Sequence, residues 1–596
     1  MFIKLWLFFF VKKSVLIVLF VLVKMADSRL KALHGFSGRF KEVKWSQFPK
    51  NYKIGKTKYI FVTGGVISGV GKGIASGSIA QLLQCKDLVC NPIKLESYYN
   101  IDSGTLNPFE HGEVFVLDDG LETDMDLGSY EALLNKNLSR NNFFTNGMVE
   151  VGIHECERKG LFDGKTVQFF PHKVGAVNRK IRESSMNSNA DVTLVEIGGK
   201  VGDEESRIFF KAMQTFAYEE GKENIFFVHN VYVDRPAHLN EQKTWPAQQS
   251  IDEFSALIGS KPDLVVVRSE SELDSGVREK IGVRGLIGAE NVVSLPNSKS
   301  IYLVAQRLKR QLVDRKIVSY FRFNGGSNKR LENAWRKYVH KFLNPKHELT
   351  VGITGKYVGS RDTYASIIKA VEHAGTFFDV NVNLKFIDTE LIEKGKLKVE
   401  DELAGVSGII VPGGFGIRGT EGKIRCIRFA RENNLPYFGL CYGFQMAVIE
   451  IARDVCNLNG ANTQENFADL KHPVICLLPD QYEKEGLGGN MRLGGHDVKI
   501  RPETKAFELY NNRGIVRERF RHRYEFNPEY KNVLEKSGVV FSGMNKSEDI
   551  MQILELPNHP FFVGVQFHPE FSSKPLQPNP LYLGFIKAAL CEKLNH

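Results

Sequence analysis

Three residues of the C-terminal half have the types and spacing for covalent chemistry on an amide. Cys441 sits in Gly439-Leu440-Cys441-Tyr442-Gly443, directly after an apolar run, and His568-Pro569-Glu570 follows far downstream. A thiol attacks a carboxamide well only as a thiolate, so Cys441 needs a base and a favourable electrostatic setting. A strand–turn–helix elbow supplies the setting. Its glycines allow a tight turn, and a helix from about Phe444 aims its positive N-terminal end at the sulfur. His568 can serve as base and then acid while Glu570 orients the ring. Residues two apart on an extended strand project to one side, so these two are expected as a hydrogen-bonded pair on a strand. Gly413-Gly414-Phe415-Gly416, after a run ending at Pro412, offers backbone N–H groups to an oxyanion. Each piece alone reads equally well as a turn or a buried cysteine. All three in order, each at a strand end, point to release of ammonia from glutamine, and such chemistry calls for a second centre that uses the ammonia.

A Gly-rich loop in the N-terminal half marks that centre. Gly65-Val66-Ile67-Ser68-Gly69-Val70-Gly71-Lys72-Gly73 is P-loop-like, but Gly73 stands where Ser or Thr is usual. Backbone N–H groups of Ser68, Gly69, Val70, Gly71 and Gly73 at a helix start can cradle phosphates, and Lys72 adds a point charge. Hard oxygen ligands for Mg²⁺ are available from Asp126, in Glu122-Thr123-Asp124-Met125-Asp126, and from Glu196. Glu196 ends the apolar run Val192–Val195 just before Gly198-Gly199, and the C-terminal end of a parallel strand is where α/β ligand sites form.

The elements that must position these residues alternate. Tyr59–Val62, Val192–Ile197, Asn224–Val231 and Leu264–Val267 read as buried strands, and Ile74–Gln84 and Glu204–Glu219 as helices. A second alternation runs through strands Leu349–Thr354, Val382–Ile387, Val406–Val411, Tyr437–Leu440 and Phe561–Phe567, with a helix over Thr363–Thr376. Strands alternating with helices indicate parallel sheets covered on both faces. The expected order is an extension over residues 1–54, an α/β unit over 55–322, a polar linker over 323–347 (helical around Leu331–Phe342) and a second α/β unit over 348–594.

Composition narrows the partners. The 596 residues are 42% hydrophobic and 25% charged, ordinary for a globular chain of two large domains. The net charge of +10 suits polyanionic small molecules, because no aromatic-interleaved basic patch or zinc-finger spacing points to nucleic acid. Eight cysteines without a CxxC pair read as reduced thiols of a cytoplasmic protein. Residues 1–24 are apolar but broken by Lys12 and Lys13, too short a run to span a bilayer and without a clear cleavage site. Met25-Ala26-Asp27 is the favoured start, with a membrane anchor as the minority reading.

The elbow, the oxyanion loop and the His-Pro-Glu set resemble the class I glutamine amidotransferases over roughly residues 350–590. That resemblance implies Glu465 as a contact for the glutamine amino group, with Gly413 and Arg523 beside it. Val62–Gly73, Lys94-Leu95, Glu110–Phe115, Val195–Gly199, Val201-Gly202-Asp203 and His522-Arg523-Tyr524-Glu525 together resemble the CTP synthase family from about residue 57 to 590. The implied fold is a P-loop-like, parallel-sheet amidoligase domain followed by an amidotransferase domain. The implied reaction phosphorylates O4 of UTP with ATP and Mg²⁺, then replaces that phosphate with ammonia to give CTP.

By the same resemblance Lys72 and Lys94 handle phosphates, Asp126 and Glu196 hold Mg²⁺, and Lys94, Lys243, Gln248 and Lys280 meet UTP. Asp203 and Glu205 belong to the UTP/CTP segment, Pro108, His111 and Val114 to an ammonia passage, and Arg418 to activation by GTP. A homotetramer, possibly forming filaments, is implied as well.

Several positions depart from the family pattern. Glu96 and Ser97 follow Lys94-Leu95 where the family has Asp-Pro, Lys200 replaces Thr, Trp245 replaces Lys, and Ala365 stands where the family has a Lys linked to coupling between the halves. The favoured expectation is a working site in which Lys200 restores the charge lost at Trp245. The alternative is a synthetase-impaired paralogue that regulates or joins filaments and keeps residual glutaminase activity. Another P-loop amidotransferase, of the cobyrinic-acid type, fits Glu110–Phe115 and His522–Glu525 less well.

Overall fold

The structure is a computed structural model, and it describes residues 45–239, 241–356, 358–467, 469–477 and 488–595. The apolar stretch 1–24 and the start at Met25 lie outside the described residues.

The N-terminal half is built on seven strands: β1 (Lys58–Gly64), β2 (Cys90–Glu96), β3 (Phe143–Thr145), β4 (Val192–Ile197), β5 (Ile225–Tyr232), β6 (Leu264–Ser269) and β7 (Val292–Pro296). They form one sheet in the order β3-β2-β4-β1-β5-β6-β7, and every pairing is parallel. The strand period of two explains why near-continuous apolar runs are needed here. Tyr59 and Phe61 pack into one core with Val195 and Phe227, while Ile60 and Val62 pack into another with Leu194 and Val228. Helix α1 (Lys72–Gln84) follows β1 directly, and α2 (Met125–Leu134) packs against it. The approach is close: a Cβ on Gly77 would stand 2.6 Å from Leu133 Cδ1. Helix α3 (Trp245–Ile258) lies under the Gly-rich loop, where Ser250 Oγ occupies the space of a Gly65 Cβ.

The polar stretch after residue 323 is largely helix α4 (Lys329–Leu343), two residues longer at the start than expected. Its apolar stripe, Trp335, Tyr338 and Val339, is buried against Tyr302, so the segment is packed rather than free-standing.

The C-terminal half carries a nine-stranded sheet. Its strands are β8 (His347–Gly355), β9 (Val380–Asp388), β10 (Ile409–Val411), β11 (Tyr437–Leu440), β12 (Arg492–Ile500), β13 (Ile515–His522), β14 (Val540–Met544), β15 (Met551–Glu555) and β16 (Phe562–Val565). Helix α5 (Ala365–Phe377) joins β8 to β9, and α6 (Tyr442–Asp454) leaves β11. The order is β9-β8-β10-β11-β16-β15-β14-β12-β13. The first five are parallel, as expected, but from β16 outward every pairing is antiparallel. The two outermost strands of that wing, β12 and β13, went unread in the sequence because they mix charged and apolar residues, as in Arg517-Glu518-Arg519-Phe520-Arg521.

Those charges have a purpose in the fold. Strand β13 lies against the N-terminal half, with Arg519 bonding Glu131 at 2.9 Å and Val116 O at 3.1 Å, and Arg521 bonding Glu122 at 2.8 Å. Phe115 packs edge-on to Phe571 across the same contact.

Candidate active site

Two constellations stand at the C-terminal ends of the two parallel sheets. In the C-terminal half, β11 ends at Leu440 and α6 begins at Tyr442, which leaves Cys441 alone in the turn with φ 50° and ψ −100°. A non-glycine residue there carries roughly 1–3 kcal/mol of strain. It is held by Cys441 N–H donating to Val565 O at 2.7 Å and by Gln445 N–H donating to Cys441 O at 3.2 Å. The sulfur is buried at the positive end of α6, which starts two residues earlier than the sequence suggests.

His568 is buried, and its Nδ1 lies 2.7 Å from Glu570 Oε1. The pairing agrees with expectation, but the backbone does not. Strand β16 stops at Val565 and Pro569–Phe571 is a 3₁₀ turn, so a Pro-initiated turn, not strand alternation, brings the two side chains together. The other ring nitrogen, Nε2, is buried without a hydrogen-bond partner. Burial works against the imidazolium, yet the Glu570 carboxylate and then Cys441 outweigh it and push the ring up to about 10. This favours the protonated ring at His568.

Gly413 lies between the two: a Cβ there would sit 3.0 Å from His568 Cε1 and 3.6 Å from Cys441 Cβ. Glu465 accepts from Gly416 N–H at 2.7 Å, and Arg523 is among the cations acting on it. Three neighbours were not placed here by the sequence. Gln566 Nε2 donates to Cys441 Sγ at 3.6 Å, and Arg521 O accepts from the same sulfur at 3.6 Å. Lys423 is buried, donates to Pro412 O at 3.1 Å, and is lowered to about 7 by burial and then by Lys356. A cation was legible in Lys423, but its place came only from α-helical packing behind the glycine loop. Arg418 is exposed, 3.4 Å from Glu390.

In the N-terminal half the loop after β1 presents Ser68 and Gly69 at the surface, with Gly69 at φ 71° and Gly71 at φ 84°. Gly71 precedes the first residue of α1, so the helix begins with free N–H groups facing the loop. Lys72 Nζ donates to Gly199 O at 2.8 Å, which ties the loop to the end of β4. Lys94 is buried among three carboxylates: Asp126 at 2.6 Å, Glu196 at 2.8 Å and Glu96 at 3.2 Å. Burial opposes its charge, but Asp126, Glu196 and Glu96 together raise its proton affinity well above the ordinary range. Tyr130 donates to the second oxygen of Glu196.

The departure at Gly73 has a geometric reason. A Cβ there would stand 2.5 Å from Asp126 Oδ1, so the carboxylate fills the space that a Ser or Thr side chain would take. Asp126 thereby offers a hard oxygen at the N-terminal end of α1. Among the described residues no group of three or more His, Cys, Asp or Glu is arranged to hold a metal by itself. Two carboxylates with the remaining ligands drawn from a triphosphate and water still fit Mg²⁺ chemistry.

Apart from Lys94, the residues expected to meet UTP or CTP are partly buried or exposed. Lys243 pairs with Glu241 at 3.0 Å, Gln248 bonds Thr244 at 3.1 Å, and Lys280 and Glu205 are exposed. Asp203 accepts from Lys200 N–H at 2.9 Å, and the Lys200 ammonium stands 3.9 Å from the same carboxylate. The cation beside Trp245 is Arg284, 5.9 Å from the ring centroid. Pro108 and His111 bound a one-turn helix whose residues are not buried, while Val114 is buried. This segment is fastened to the C-terminal half by Thr363 Oγ1 on Pro108 O at 3.2 Å and by Glu113 N–H on Asp362 O at 3.0 Å.

Comparison with known proteins fits both halves. A family model described as the CTP synthase N-terminus matches residues 58–323, and the class-I glutamine amidotransferase model matches residues 360–588. A CTP synthase from Caldanaerobacter subterraneus is 44% identical over 539 residues, covering 90% of this chain and 99% of the relative. One from Thermococcus kodakarensis is 45% identical over 540 residues, with the same coverage.

The chain belongs to the CTP synthase family.

Members of this family are glutamine-hydrolysing ligases, and the architecture is a parallel-sheet synthetase half followed by a class I amidotransferase half. Among solved structures, the glutaminase domain of Trypanosoma brucei CTPS with bound acivicin is 36% identical, covering 41% of this chain and 94% of that one at a TM-score of 0.38. Among the described residues no helix is long and apolar enough to cross a membrane.

Proposed function

We propose that this chain makes CTP from UTP, using ATP and the ammonia of glutamine. In this reading residues 348–594 hydrolyse glutamine and residues 55–322 carry the synthetase site. The observation that supports it most is the retention of both constellations, Cys441–His568–Glu570 and Lys72–Lys94–Asp126–Glu196, in one chain alignable with CTP synthases almost end to end.

Cys441 gives its thiol proton to His568 Nε2, and the thiolate adds to the glutamine carboxamide carbon. The resulting oxyanion takes backbone N–H groups of the Gly413–Gly414 loop. Ammonia leaves with the proton from His568, and a thioester remains. Water, deprotonated by His568, then cleaves the thioester and frees glutamate and the thiol. Glu465 and Arg523 are the groups for the amino-acid end of glutamine.

At the other site Lys72, Gly71 and the N-terminus of α1 hold the ATP phosphates, and Lys94 faces the phosphate in transfer. Mg²⁺, when bound by Asp126 and Glu196 with the triphosphate, supplies charge neutralisation. The UTP O4 oxygen takes the γ-phosphoryl group, and ammonia adding at C4 expels phosphate. Phosphoryl transfer of this kind depends on positioning and charge neutralisation more than on protein covalent chemistry. Lys243, Gln248 and Lys280 are the cations and donors for UTP, and Asp203 and Glu205 border the pyrimidine nucleotide. Pro108, His111 and Val114 border the ammonia route, and Arg418 serves a GTP activator. A cytoplasmic homotetramer completes this reading.

The test is product analysis of the purified chain with UTP, ATP, Mg²⁺ and ammonium at high pH. CTP, ADP and phosphate in equal amounts are expected. Absence of CTP, with glutaminase activity intact, would support the synthetase-impaired alternative.

A further inference from the structure

Helix α5 belongs to the C-terminal half, but one of its stripes is polar and turned to the N-terminal half. Ser366 N–H donates to Glu113 Oε2 at 2.8 Å, Lys369 Nζ donates to Ser129 Oγ at 2.8 Å, Glu372 accepts from Ser300 at 2.7 Å, and His373 meets Tyr302 OH at 2.6 Å. Positions 366, 369 and 373 share one helix face, where an ordinary domain contact would be apolar. Ala365, one turn before Lys369, has no charge to offer that contact.

Lys369 is the cation of the stripe, and it stands between the two constellations. On one side its partner Ser129 lies on α2, one turn after Asp126, and the carboxylates of Asp126 and Asp124 act on the ammonium. On the other side the largest attraction comes from Glu113, and Glu113 in turn feels the negative charge of Glu570. Asp362, at the N-terminal approach to α5, also faces it, while Glu372 and His373 on its own helix feel its charge. The sequence of charges therefore runs Asp126, Lys369, Glu113, Glu570, with Lys369 fixed to α2 through Ser129 and Glu113 fixed to α5 through Ser366 N–H.

The geometry points to Lys369 as a positioning residue that couples occupancy of the nucleotide site to the glutaminase triad. Adding a polyphosphate and its cations at Asp126 changes the charge that Lys369 sees on α2. Lys369 then redistributes its attraction between α2 and Glu113. Held by Ser366 N–H at the start of α5, Glu113 changes the field at Glu570, which lies on the Pro569–Phe571 turn that α5 packs against. Burial lowers the proton affinity of Lys369, and Glu113, then Asp126 and Asp124, oppose that loss. The ammonium they hold in place, 2.8 Å from Ser129 Oγ, transmits because a buried charge interacts over several ångströms with little screening. This inference rests on the CTP-forming reading, since it needs ATP and UTP as the ligands of the N-terminal site.

The experiment measures glutamine hydrolysis with and without ATP plus UTP, in the wild type, Lys369→Met and Lys369→Arg, with ammonia-dependent CTP formation as a separate assay. Lys369→Met is expected to keep basal glutaminase activity and ammonia-dependent synthesis within about twofold, but to lose about fivefold or more of the nucleotide stimulation, the usual size of a coupling between sites. Lys369→Arg restores most of the stimulation, which a mere loss of packing would not predict. Ser129→Ala, a milder change, provides the same readout if Lys369→Met does not fold, with an expected partial loss. Wild-type stimulation in Lys369→Met, or in Ser129→Ala where that variant stands in, overturns the inference, as does a wild type whose glutaminase ignores nucleotides. Failure of the CTP-forming reading is distinguished by ammonia-dependent synthesis missing from the wild type itself.

Discussion

Cys441 keeps its unfavourable φ because its own N–H and C=O are committed on both sides, to Val565 and Gln445. The turn therefore aims the sulfur rather than merely tolerating it. The acid of the set acts through charge: with Glu570 replaced by Gln, the imidazolium loses its strongest stabilising partner, so its proton affinity falls from the present value of about 10. The pH profile of glutamine hydrolysis in Glu570→Gln should show its alkaline limb moved to lower pH, with kcat down about 10- to 100-fold. An unmoved limb would remove the ion-pair account. At the phosphate site, Gly73→Ser should push Asp126 out of the space it fills, since the added Cβ would lie 2.5 Å from Oδ1. Ammonia-dependent CTP formation should fall about 10- to 100-fold, and the loss should deepen at low Mg²⁺. Unchanged kinetics would show that Asp126 has no part in the phosphate end.

At the scale of elements, β13 is the strand on which the two halves meet. Arg519 and Glu131 are both buried, and their pairing holds a carboxylate that burial still pushes above its ordinary range despite Arg519. Replacing Arg519 by Met leaves that carboxylate uncompensated, at a cost of about 3–5 kcal/mol. Glu131 must then take a proton to stay buried, so the folded state binds protons more tightly than the unfolded one. Stability of the variant should be highest below the unfolded carboxylate pKa and fall as pH rises. Thermal melts at pH 5 and pH 8 should therefore show the smaller deficit at pH 5. An equal deficit at both would mean that Glu131 is not the group left behind. This strand also shows where sequence reading stopped. The parallel strands β1, β4 and β11 were legible from continuous apolar runs, and Val192–Ile197 matches its expected bounds. Strand β13 was not, because its alternate charges look solvated until the other half is present to pair with them. The same physics hid Lys369 and Lys423, which look like surface cations in a helical pattern.

For the whole molecule, the two constellations form a machine only if ammonia made at Cys441 is used at the other site. The pairing of His568 with Glu570, 2.7 Å apart, was readable from motif and order, although the turn that creates it was not. The nucleotide residues are harder to read for a different reason: Lys243, Gln248 and Lys280 are partly or fully exposed, so a single chain gives them few neighbours to argue from. Lys200 is engaged with Asp203, and the Arg284 guanidinium lies 5.9 Å from the Trp245 ring centroid. The decisive measurement is CTP formation by the wild type and Cys441→Ala, each supplied first with glutamine and then with ammonium. The account predicts that the wild type uses both, while Cys441→Ala loses glutamine-dependent synthesis by at least about a thousandfold and retains the ammonium-dependent rate. Equal loss with both nitrogen sources, or CTP from glutamine without Cys441, would contradict it.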